Sequence, residues 1–258
     1  MDKKVVATGI DVSYANGKLD WSKIKGKINF AILRCGFGGD YTSQDDVQFF
    51  NNVKGCEDNS IPYGVYLYSY ATDVEKAKSE AAHALRLIKD LNFDLPVFLD
   101  LEEPRISELG KTKVLEIAKT FCSIIEQAGY TYGTYANKNW FDNYLTDLWY
   151  DSKIKWLAQY NSTVTYTGRY DIWQYTSSGT FDGISGRFDF NRSYVSFLKG
   201  DANGDGEITA ADARTILRAS AGLESLDPAQ EKNADVNNDG QITAADARSA
   251  LRISAGLE

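Results

Sequence analysis

Histidine and cysteine are scarce in this chain, and their scarcity limits the chemistry that it can perform. The single histidine, His83, lies among alanines in a helical stretch and has no serine or cysteine partner in a recognisable motif. We therefore predict that His83 lies on a helix surface, and a Ser-His-Asp or Cys-His mechanism is disfavoured. The three cysteines are unevenly spaced and no pair has metal-ligand spacing. Buried free thiols are expected rather than a disulfide framework.

Long apolar runs and basic surfaces are missing as well. No apolar run reaches the roughly 18 residues that indicate a membrane helix, and the first residues lack the apolar core of a signal peptide. Most of the net charge of −8 falls in residues 201–258, which hold 11 acids and 5 bases. No basic face for nucleic acid is present. Because the acidic end is a separate electrostatic unit, we predict two domains, residues 1–199 and residues 200–258.

Strand-like and helix-like segments alternate along the first domain. Five apolar segments separated by helical stretches are followed by three strand-like segments with little helix between them. Such alternation is typical of parallel strands joined by crossover helices. Eight strands in about 200 residues predict an α/β fold, a compact TIM-like barrel whose last third has lost its helices. The predicted strands are residues 5–13, 30–38, 63–71, 97–102, 132–136, 155–159, 171–175 and 187–190.

The fourth predicted strand, within PVFLDLEE at residues 96–103, ends in acids. Alternation places Phe98, Asp100 and Glu102 on one face, with the Cα atoms of the two acids roughly 6.5–7 Å apart. Two such carboxylates repel each other and are poorly solvated, which raises the pKa of at least one of them. This arrangement lowers stability and therefore favours a chemical role. The alternative is a strand that simply runs into an acidic loop.

Two further acids are expected at the same pocket. Reacting groups in such barrels stand at the carboxyl ends of strands. Asp11 follows this rule on the first strand and Asp189 on the eighth, which adjoin each other and face the fourth strand across the mouth. Aromatic rings at intervening strand ends would wall an acidic pocket suited to a sugar chain, although each ring alone is more often a core residue. These residues are Tyr66, Tyr68, Tyr135, Trp156, Tyr160, Trp173 and Tyr175.

Four short motifs occur in order along the first domain: GIDVS at residues 9–13, FLDLE at 98–102, WQY at 173–175 and FDFN at 188–191. Together they resemble glycoside hydrolase family 25, the Chalaropsis-type lysozymes or N-acetylmuramidases. The resemblance implies a (β/α)5β3 barrel, without a cofactor, that cleaves the β-1,4 bond between N-acetylmuramic acid and N-acetylglucosamine in peptidoglycan. It implies that Glu102 is the general acid and that Asp100 orients the 2-acetamido group. It further implies that Asp11 and Asp189 shape the charge of the pocket and that Gln174 joins the aromatic residues in binding substrate.

The spacing of the acids favours one mechanism over another. Retaining glycosidases of the usual kind place their carboxyl groups ~5–5.5 Å apart and inverting ones ~6.5–9.5 Å apart, on opposite sides of the bond. Asp100 and Glu102 share one strand face and point in parallel, which suits an acid and a helper. We therefore favour substrate-assisted retention, with the acetamido oxygen as nucleophile. An inverting route, in which Asp11 or Asp189 activates water, remains open.

Residues 201–212, DANGDGEITAAD, and residues 235–246, DVNNDGQITAAD, repeat one pattern 34 residues apart. Acids or amides occupy positions 1, 3 and 5, Gly occupies position 6 and Asp position 12, which is the pattern of an EF-hand-type calcium loop. Position 7 contributes a backbone carbonyl. Two such loops in register predict two bound Ca²⁺ ions. The predicted ligands are Asp201, Asn203, Asp205, Glu207, Asp212, Asp235, Asn237, Asp239, Gln241 and Asp246.

Each loop precedes a helical segment, and both units contain ITAADAR and SAGLE. This pair of units resembles a type I dockerin, which implies a small all-α module that docks on a cohesin of a cellulosome-type scaffoldin. The matching halves favour a dual binding mode. We expect a secreted monomer, associated with a scaffold or a cell surface, whose signal peptide is not part of this sequence. The residues expected to contact the cohesin are Ala210, Ala211, Arg218, Ala244, Ala245 and Arg252.

Three interpretations of the whole chain follow. The first is a muramidase held on a scaffold by its dockerin. The second is a barrel of the same shape that acts on another N-acetylglucosamine polymer such as chitin, and the third is a non-catalytic sugar-binding barrel on the same module. The four acids weigh against the third. For the dockerin-like module, the alternative is calcium-dependent folding without a partner.

Overall fold

Eight strands close into a barrel in chain order in the computed structural model, which describes residues 4–257. Helices occupy the connections from β1 to β6, and the last two connections carry none, so the predicted barrel is confirmed. The strands are β1 (Ala7–Val12), β2 (Phe30–Phe37), β3 (Tyr63–Tyr68), β4 (Val97–Asp100), β5 (Tyr132–Asn137), β6 (Ile154–Ala158), β7 (Ile172–Phe181) and β8 (Ile184–Ser193). The helices are α1 (Trp21–Ile24), α2 (Phe49–Asp58), α3 (Val74–Ile88), α4 (Pro104–Ser107), α5 (Lys111–Gln127) and α6 (Lys138–Asn143).

The strands from β1 to β7 pair in parallel, as predicted. Asp11 lies opposite Ile32, and Leu99 lies opposite Thr134. Between β7 and β8, however, only Asp182 and Gly183 intervene. A two-residue turn joins antiparallel strands, so β8 runs against the other seven. Both strands are longer than the segments predicted from the sequence because the tight turn lets them continue up to it.

The outer helices pack on the barrel through one apolar face each. Asp73 caps α3 as expected for an N-cap residue, since its Oδ1 accepts the backbone N–H of Lys76 at 2.9 Å. Along α3 the buried positions include Ala77, Ala81 and Ala84, three and four residues apart, and their small side chains let the helix approach the sheet closely. In α5 the buried face consists of Val114, Ile117, Ala118, Phe121, Cys122 and Ile125.

His83, also on α3, is fully buried, so the prediction of a surface position was wrong. Its Nε2 lies 2.8 Å from Oδ1 of Asp45, and its Nδ1 lies 3.0 Å from the carbonyl oxygen of Gly38. Arg86 donates from Nη2 to the same Asp45 oxygen at 2.6 Å. The neighbours of His83 in sequence are alanines, and they carry no sign that the loop after β2 brings a carboxylate and a carbonyl to the ring. These contacts tie that loop to α3.

All three cysteines are buried free thiols, as predicted. Cys35 lies on β2, Cys56 on α2 and Cys122 on α5, and all three belong to the apolar core around the barrel. Burial raises the pKa of each thiol, in Cys35 to about 12. They therefore serve as small apolar core residues.

The described residues at the two ends of the chain, 4–7 and 193–257, form a second compact unit. It contains α7 (Ala210–Ser220), α8 (Pro228–Ala234) and α9 (Ala244–Ser254), with α7 and α9 lying against each other. The first and last of these are the helices predicted to follow the two loops, whereas α8 was not predicted. Their apolar sides enclose a small core that includes Ile216 and Val236. The domain boundary between residues 199 and 200 stays a prediction.

Thr209 and Thr243 begin α7 and α9 with the same cap. Each threonine side chain accepts an N–H from the first turn, and the carboxylates of Asp212 and Asp246 accept the threonine N–H groups in return. This reciprocal arrangement satisfies two backbone donors at each helix start. Within residues 4–257, no helix combines the length and apolarity that crossing a membrane requires.

Candidate active site

Four carboxyl groups meet inside the barrel near the carboxyl ends of β1 and β4. Asp11 is the next-to-last residue of β1, Asp100 ends β4, and Glu102 follows two residues later. Asp189 lies mid-strand on β8 instead of at a strand end, because β8 runs antiparallel. Asp11 and Asp100 are 6% and 3% exposed, whereas Glu102 and Asp189 are half-buried. Their charges act on one another, so the structure brings together the four acids selected from the sequence.

Burial raises the pKa of all four carboxyl groups above the ordinary range. The effect is reinforced by the negative charge of Asp189 at Asp11 and Glu102, and by that of Glu102 at Asp100. For Asp189 the cause is burial. Asp100 differs from the others because its buried Oδ1 has no hydrogen-bond partner among the described residues. An unpartnered buried carboxyl oxygen is costly in the free protein and is available to a donor on a ligand.

Two buried amides bracket Asp11. Nε2 of Gln174 and Nδ2 of Asn191 each donate a hydrogen bond to Oδ2 of Asp11 at 2.8 Å. Nε2 of Gln174 also lies 3.4 Å from Oδ2 of Asp189. The amide of Gln174 therefore faces the acids of β1 and β8, whereas the sequence placed it among the substrate-binding residues. Asn191 belongs to the FDFN motif, but its contact with Asp11 was not predicted from the sequence.

Trp156 lies within the packed interior of the barrel, not on its wall. Its ring is 1% exposed and packs edge-on against Tyr66, Phe98 and Tyr135, with ring centroids 4.5–5.8 Å apart. Its Nε1 donates to Oδ1 of Asn191 at 2.7 Å. In this structure the Trp156 ring is therefore not available to stack on a sugar, and it supports the amides beneath the acids.

The other predicted aromatic residues differ in their access to solvent. Trp173 is 3% exposed and donates from Nε1 to the carbonyl oxygen of Gln159 at 2.8 Å, so its ring is also inside. Tyr160 is 53% exposed, and Tyr68 and Tyr175 are half-buried. These three rings border the solvent-accessible side of the barrel interior.

Tyrosine hydroxyls connect the pocket wall to the amide layer. The hydroxyl groups of Tyr135 and Tyr160 donate to Oε1 of Gln174 at 2.9 and 2.7 Å. Their own pKa values are raised, in both cases mainly by burial, so both remain donors at neutral pH. The Gln174 side chain is consequently held from both ends.

Arg34 on β2 is a cation in this acidic interior that the sequence analysis missed. Its Nε pairs with Oδ2 of Asp46 at 2.8 Å, and its guanidinium lies 4.7 Å from the ring centroid of Tyr14. Its positive charge opposes the larger effects of burial and neighbouring acids, which raise the pKa of Asp100. In the sequence, this cation could have been recognised as a basic residue within the otherwise apolar strand FAILRCGF.

A cavity of about 310 Å³ opens beside Glu102. The sequence analysis did not select four of its polar residues, although they end or follow β5 and β6, where barrel active sites are built. These residues are Asn137, Lys138, Asn139 and Gln159. With Tyr160 on the same lining, the cavity gives Glu102 a polar space large enough to admit part of a ligand.

The two predicted calcium loops have matching internal hydrogen bonds. Oδ2 of Asp201 accepts the N–H of Gly206 at 2.8 Å, and Oδ2 of Asp235 accepts that of Gly240 at 2.9 Å. Gly206 and Gly240 have φ values of 95° and 82°, which permit the sharp turn at position 6. The remaining predicted ligands lie in the same two loops, namely Asn203, Asp205, Glu207, Asp212, Asn237, Asp239, Gln241 and Asp246.

The donor set of these loops suits a hard cation. Carboxylate, amide and backbone oxygens are the ligands that Ca²⁺ prefers. Within residues 4–257, no three His, Cys, Asp or Glu side chains lie close enough together to hold a metal ion. The first loop adds the amide oxygen of Asn203 and the second that of Asn237, and each adds the backbone carbonyl at position 7.

Family models match both parts of the chain. Residues 10–184 match the model of glycosyl hydrolases family 25, and residues 199–249 match that of the dockerin type I domain. The chain therefore belongs to glycosyl hydrolase family 25 and carries a type I dockerin domain. No curated protein matches it.

Solved structures of the family resemble the barrel. The modular autolysin LytC from Streptococcus pneumoniae is 28% identical with a TM-score of 0.64, and the match covers 72% of this chain and 46% of LytC. SleM, a spore cortex lytic enzyme from Clostridium perfringens, is 21% identical with a TM-score of 0.64 over 75% and 69% of the two chains. A family 25 glycosyl hydrolase from Bacillus anthracis is 20% identical, with a TM-score of 0.64 over 76% and 92%.

These similarities carry different weight. The match spans less than half of LytC, and the other two similarities support the fold alone. Family membership and fold together identify the barrel as a family 25 glycoside hydrolase domain.

Substitution of Asp100 by Asn is expected to raise the melting temperature at neutral pH. Folding raises the pKa of Asp100 above its unfolded value of about 4. Its contribution to stability is therefore lost as the pH rises from about 4 through the raised folded pKa. An amide does not ionise, so Asp100→Asn should gain on the order of 1 kcal/mol or more at neutral pH and converge with the wild type near pH 4. Calorimetry at both pH values measures this difference.

The control for this prediction is Asp90→Asn, which changes an exposed aspartate just after α3. It is expected to leave the melting temperature nearly unchanged at both pH values. An Asp100→Asn variant that is no more stable than the wild type at neutral pH would contradict the prediction.

Proposed function

We propose that this chain hydrolyses the β-1,4 bond between N-acetylmuramic acid and N-acetylglucosamine in peptidoglycan. The observation that carries the proposal is the pair formed by Asp100, buried with an unpartnered oxygen, and Glu102, half-buried beside a polar cavity. The substrate class is supported by LytC, an autolysin whose structure was also determined in complex with a synthetic peptidoglycan ligand.

Glu102 acts as the general acid. Burial and the negative charge of Asp189 raise its pKa, so Glu102 keeps its proton to a higher pH than a glutamate in water. That proton passes to the glycosidic oxygen as the bond between this oxygen and the anomeric carbon breaks. The leaving sugar departs with a hydroxyl group, and Glu102 is left as a carboxylate.

Asp100 positions the 2-acetamido group of the substrate. Its unpartnered Oδ1 is suited to accept the acetamido N–H, which makes the acetamido oxygen a better nucleophile. This oxygen forms a bond to the anomeric carbon as the leaving group departs. Water then attacks the same carbon and gives its proton to Glu102, which breaks the new bond and restores the original configuration.

Asp11 and Asp189 supply negative charge around the reacting sugar. Positive charge develops on the sugar ring in the transition state, and fixed anions in a poorly solvated pocket stabilise it strongly. In the alternative inverting route, one of these two acids activates water. Asp189 is the more accessible of the two, which makes it the better base for that route.

The dockerin domain binds two Ca²⁺ ions and attaches the enzyme to a cohesin module. Its predicted ligands supply oxygen donors at corresponding positions of both loops, and a bound cation offsets the charge of Asp201, Asp205 and Asp212 or their counterparts. This attachment places the protein outside the cell on a scaffold or a surface. Similarity to type I dockerins over residues 199–249 supports the assignment.

The two repeats offer matching surfaces for the cohesin. Leu217 and Leu251 are 47% and 45% exposed, and Leu223 and Leu257 are 68% and 65% exposed. Arg218 and Arg252 occupy the last turns of α7 and α9. The alanine pairs 210–211 and 244–245 begin these helices. Since each repeat presents the same side chains, either one can face the partner, which is the basis of a dual binding mode.

Substitution of Glu102 by Gln is expected to lower hydrolysis roughly 10²–10⁴-fold while leaving the fold intact, because the amide keeps the shape but has no acidic proton. Clearing of bacterial cell walls measures the activity. Glu103→Gln is the matched control, since Glu103 is the adjacent residue and pairs with Arg105 at 2.6 Å; it should retain activity. Wild-type turnover by Glu102→Gln would contradict the assignment.

Hydrolysis of chitin oligomers is measured alongside the clearing of cell walls. Faster hydrolysis of the oligomers than of cell walls would favour the chitinase-like alternative. Absence of hydrolysis of both would favour a sugar-binding barrel.

The first product released is expected to be the β-anomer, because substrate-assisted attack retains configuration through two inversions. Proton NMR of the reducing-end sugar during the first turnovers measures it. An initial α-anomer would contradict this mechanism and support water activation by Asp189 or Asp11.

Cohesin capture is expected to require Ca²⁺ and at least one intact repeat. A panel of cohesins should retain the chain in Ca²⁺ and release it in EDTA, because the loops lose the cation that holds their oxygens together. Leu217→Asp and Leu251→Asp alone should each bind, whereas the double variant should not. Equal capture in EDTA would exclude calcium dependence, and loss of binding in one single variant would exclude the dual mode.

A further inference from the structure

The orientation of the Asn191 amide is fixed by its neighbours. Nε1 of Trp156, 2.7 Å away, can only donate, so the atom of Asn191 that faces it must be the oxygen. The amide nitrogen therefore points to Oδ2 of Asp11 at 2.8 Å. Both Asn191 and Trp156 are almost completely buried. Water does not compete for these bonds.

The Gln174 amide lies on the opposite side of Asp11. Its Oε1 accepts from the hydroxyls of Tyr135 and Tyr160, and its NH₂ group is directed at Oδ2 of Asp11. A single carboxylate oxygen thus receives two oriented N–H donors. Such donors favour the ionised form of a carboxyl group, since a protonated oxygen accepts more weakly.

Asp11 experiences strong opposing influences. Burial and the negative charges of Asp189 and Glu102 raise its pKa, while the hydrogen bonds from Asn191 and Gln174 lower it. The ionisable groups around Asp11 come from the surrounding strands and the segments that follow them. They are Asp189 on β8, Asp100 and Glu102 at the end of β4, Tyr66 on β3, Tyr135 on β5 and Tyr160 after β6. The cation Arg34 on β2 acts on Asp100 and Tyr66.

We propose that Asn191 and Gln174 are positioning residues that favour the ionised form of buried Asp11 against its burial and its acidic neighbours, so that Asp11 can act as an anion beneath the reacting sugar. The catalytic part of this inference rests on the proposed glycosidase function. An ionised Asp11 has two consequences. It raises the pKa of Asp100, and it sets the acid limb of the pH profile, because protonation of Asp11 removes the anion that stabilises the sugar cation.

The test compares two buried Asn–Trp pairs in the full-length chain. Asn191→Leu removes a donor to Asp11 at nearly constant size. The matched control is Asn52→Leu, because Asn52 is 1% exposed and its Oδ1 accepts from Nε1 of Trp21 at 3.2 Å. Nδ2 of Asn52 has no partner among the described residues, so this pair has no carboxylate to influence. Gln174→Met, which removes the second donor, is measured in parallel so that the test does not depend on the folding of one variant.

Carbon-13 NMR of the carboxyl groups follows the titration of Asp11 directly, with Asp11→Asn used to assign its signal. Asn191→Leu and Gln174→Met should each raise the titration midpoint of Asp11 by about one pH unit, the size expected for loss of one charge-assisted hydrogen bond. The acid limb of kcat/KM should move upward by the same amount. Asn52→Leu should move neither.

An unchanged midpoint in the folded Asn191→Leu or Gln174→Met protein, or an equal shift in Asn52→Leu, would overturn the proposal. The NMR titration does not require turnover. A wild-type chain that fails to cleave peptidoglycan would therefore contradict the proposed function, while the midpoints would still decide whether the amides keep Asp11 ionised.

Discussion

Repulsion among four carboxyl groups in a poorly solvated barrel has to be offset by the groups packed around them. Burial raises the pKa of every one of them, and at Asp11, Asp100 and Glu102 neighbouring charge adds to the effect. Such a cluster is unfavourable for folding unless its charges are compensated. The barrel provides compensation unevenly. Two amides bind Asp11, the cation Arg34 acts on Asp100, and Glu102 borders a polar cavity.

The aromatic interior of the barrel contributes to this compensation, because it positions the amides that bind Asp11. Trp156 packs against three aromatic rings and, through its indole N–H, determines which way the Asn191 amide points. On the other side, the hydroxyl of Tyr135 donates to the amide oxygen of Gln174. The aromatic packing around Trp156 excludes water from this part of the barrel interior. The same packing therefore orients the donors to Asp11. Exclusion of water strengthens these electrostatic interactions. A substitution in this packing therefore changes both the stability of the core and the electrostatics of the site.

The sequence was informative where local periodicity decides the outcome. Alternating segments predicted the eight strands, and the rule that reacting groups stand at the carboxyl ends of barrel strands placed Asp11, Asp100 and Glu102 at one mouth. It failed where contacts are distant in the chain. Gln174 and Asp11 are 163 positions apart, and His83 and Asp45 are 38 apart. Position near a strand end also placed Trp156 on the pocket wall, but that position does not give the depth of a residue along the barrel, and Trp156 is 1% exposed.

The buried thiols have a consequence for the chain in oxidising surroundings. A thiolate is the species that reacts with oxidants and disulfides, and burial raises the pKa of Cys35, Cys56 and Cys122 in the folded state. The packed core therefore protects the three thiols from oxidation without a disulfide. Unfolding in air would expose all three thiols at once, and an odd number leaves at least one to cross-link with another molecule. Loss of fold would then become permanent through covalent chemistry, so the lifetime of the enzyme outside a reducing compartment is set by its rate of unfolding.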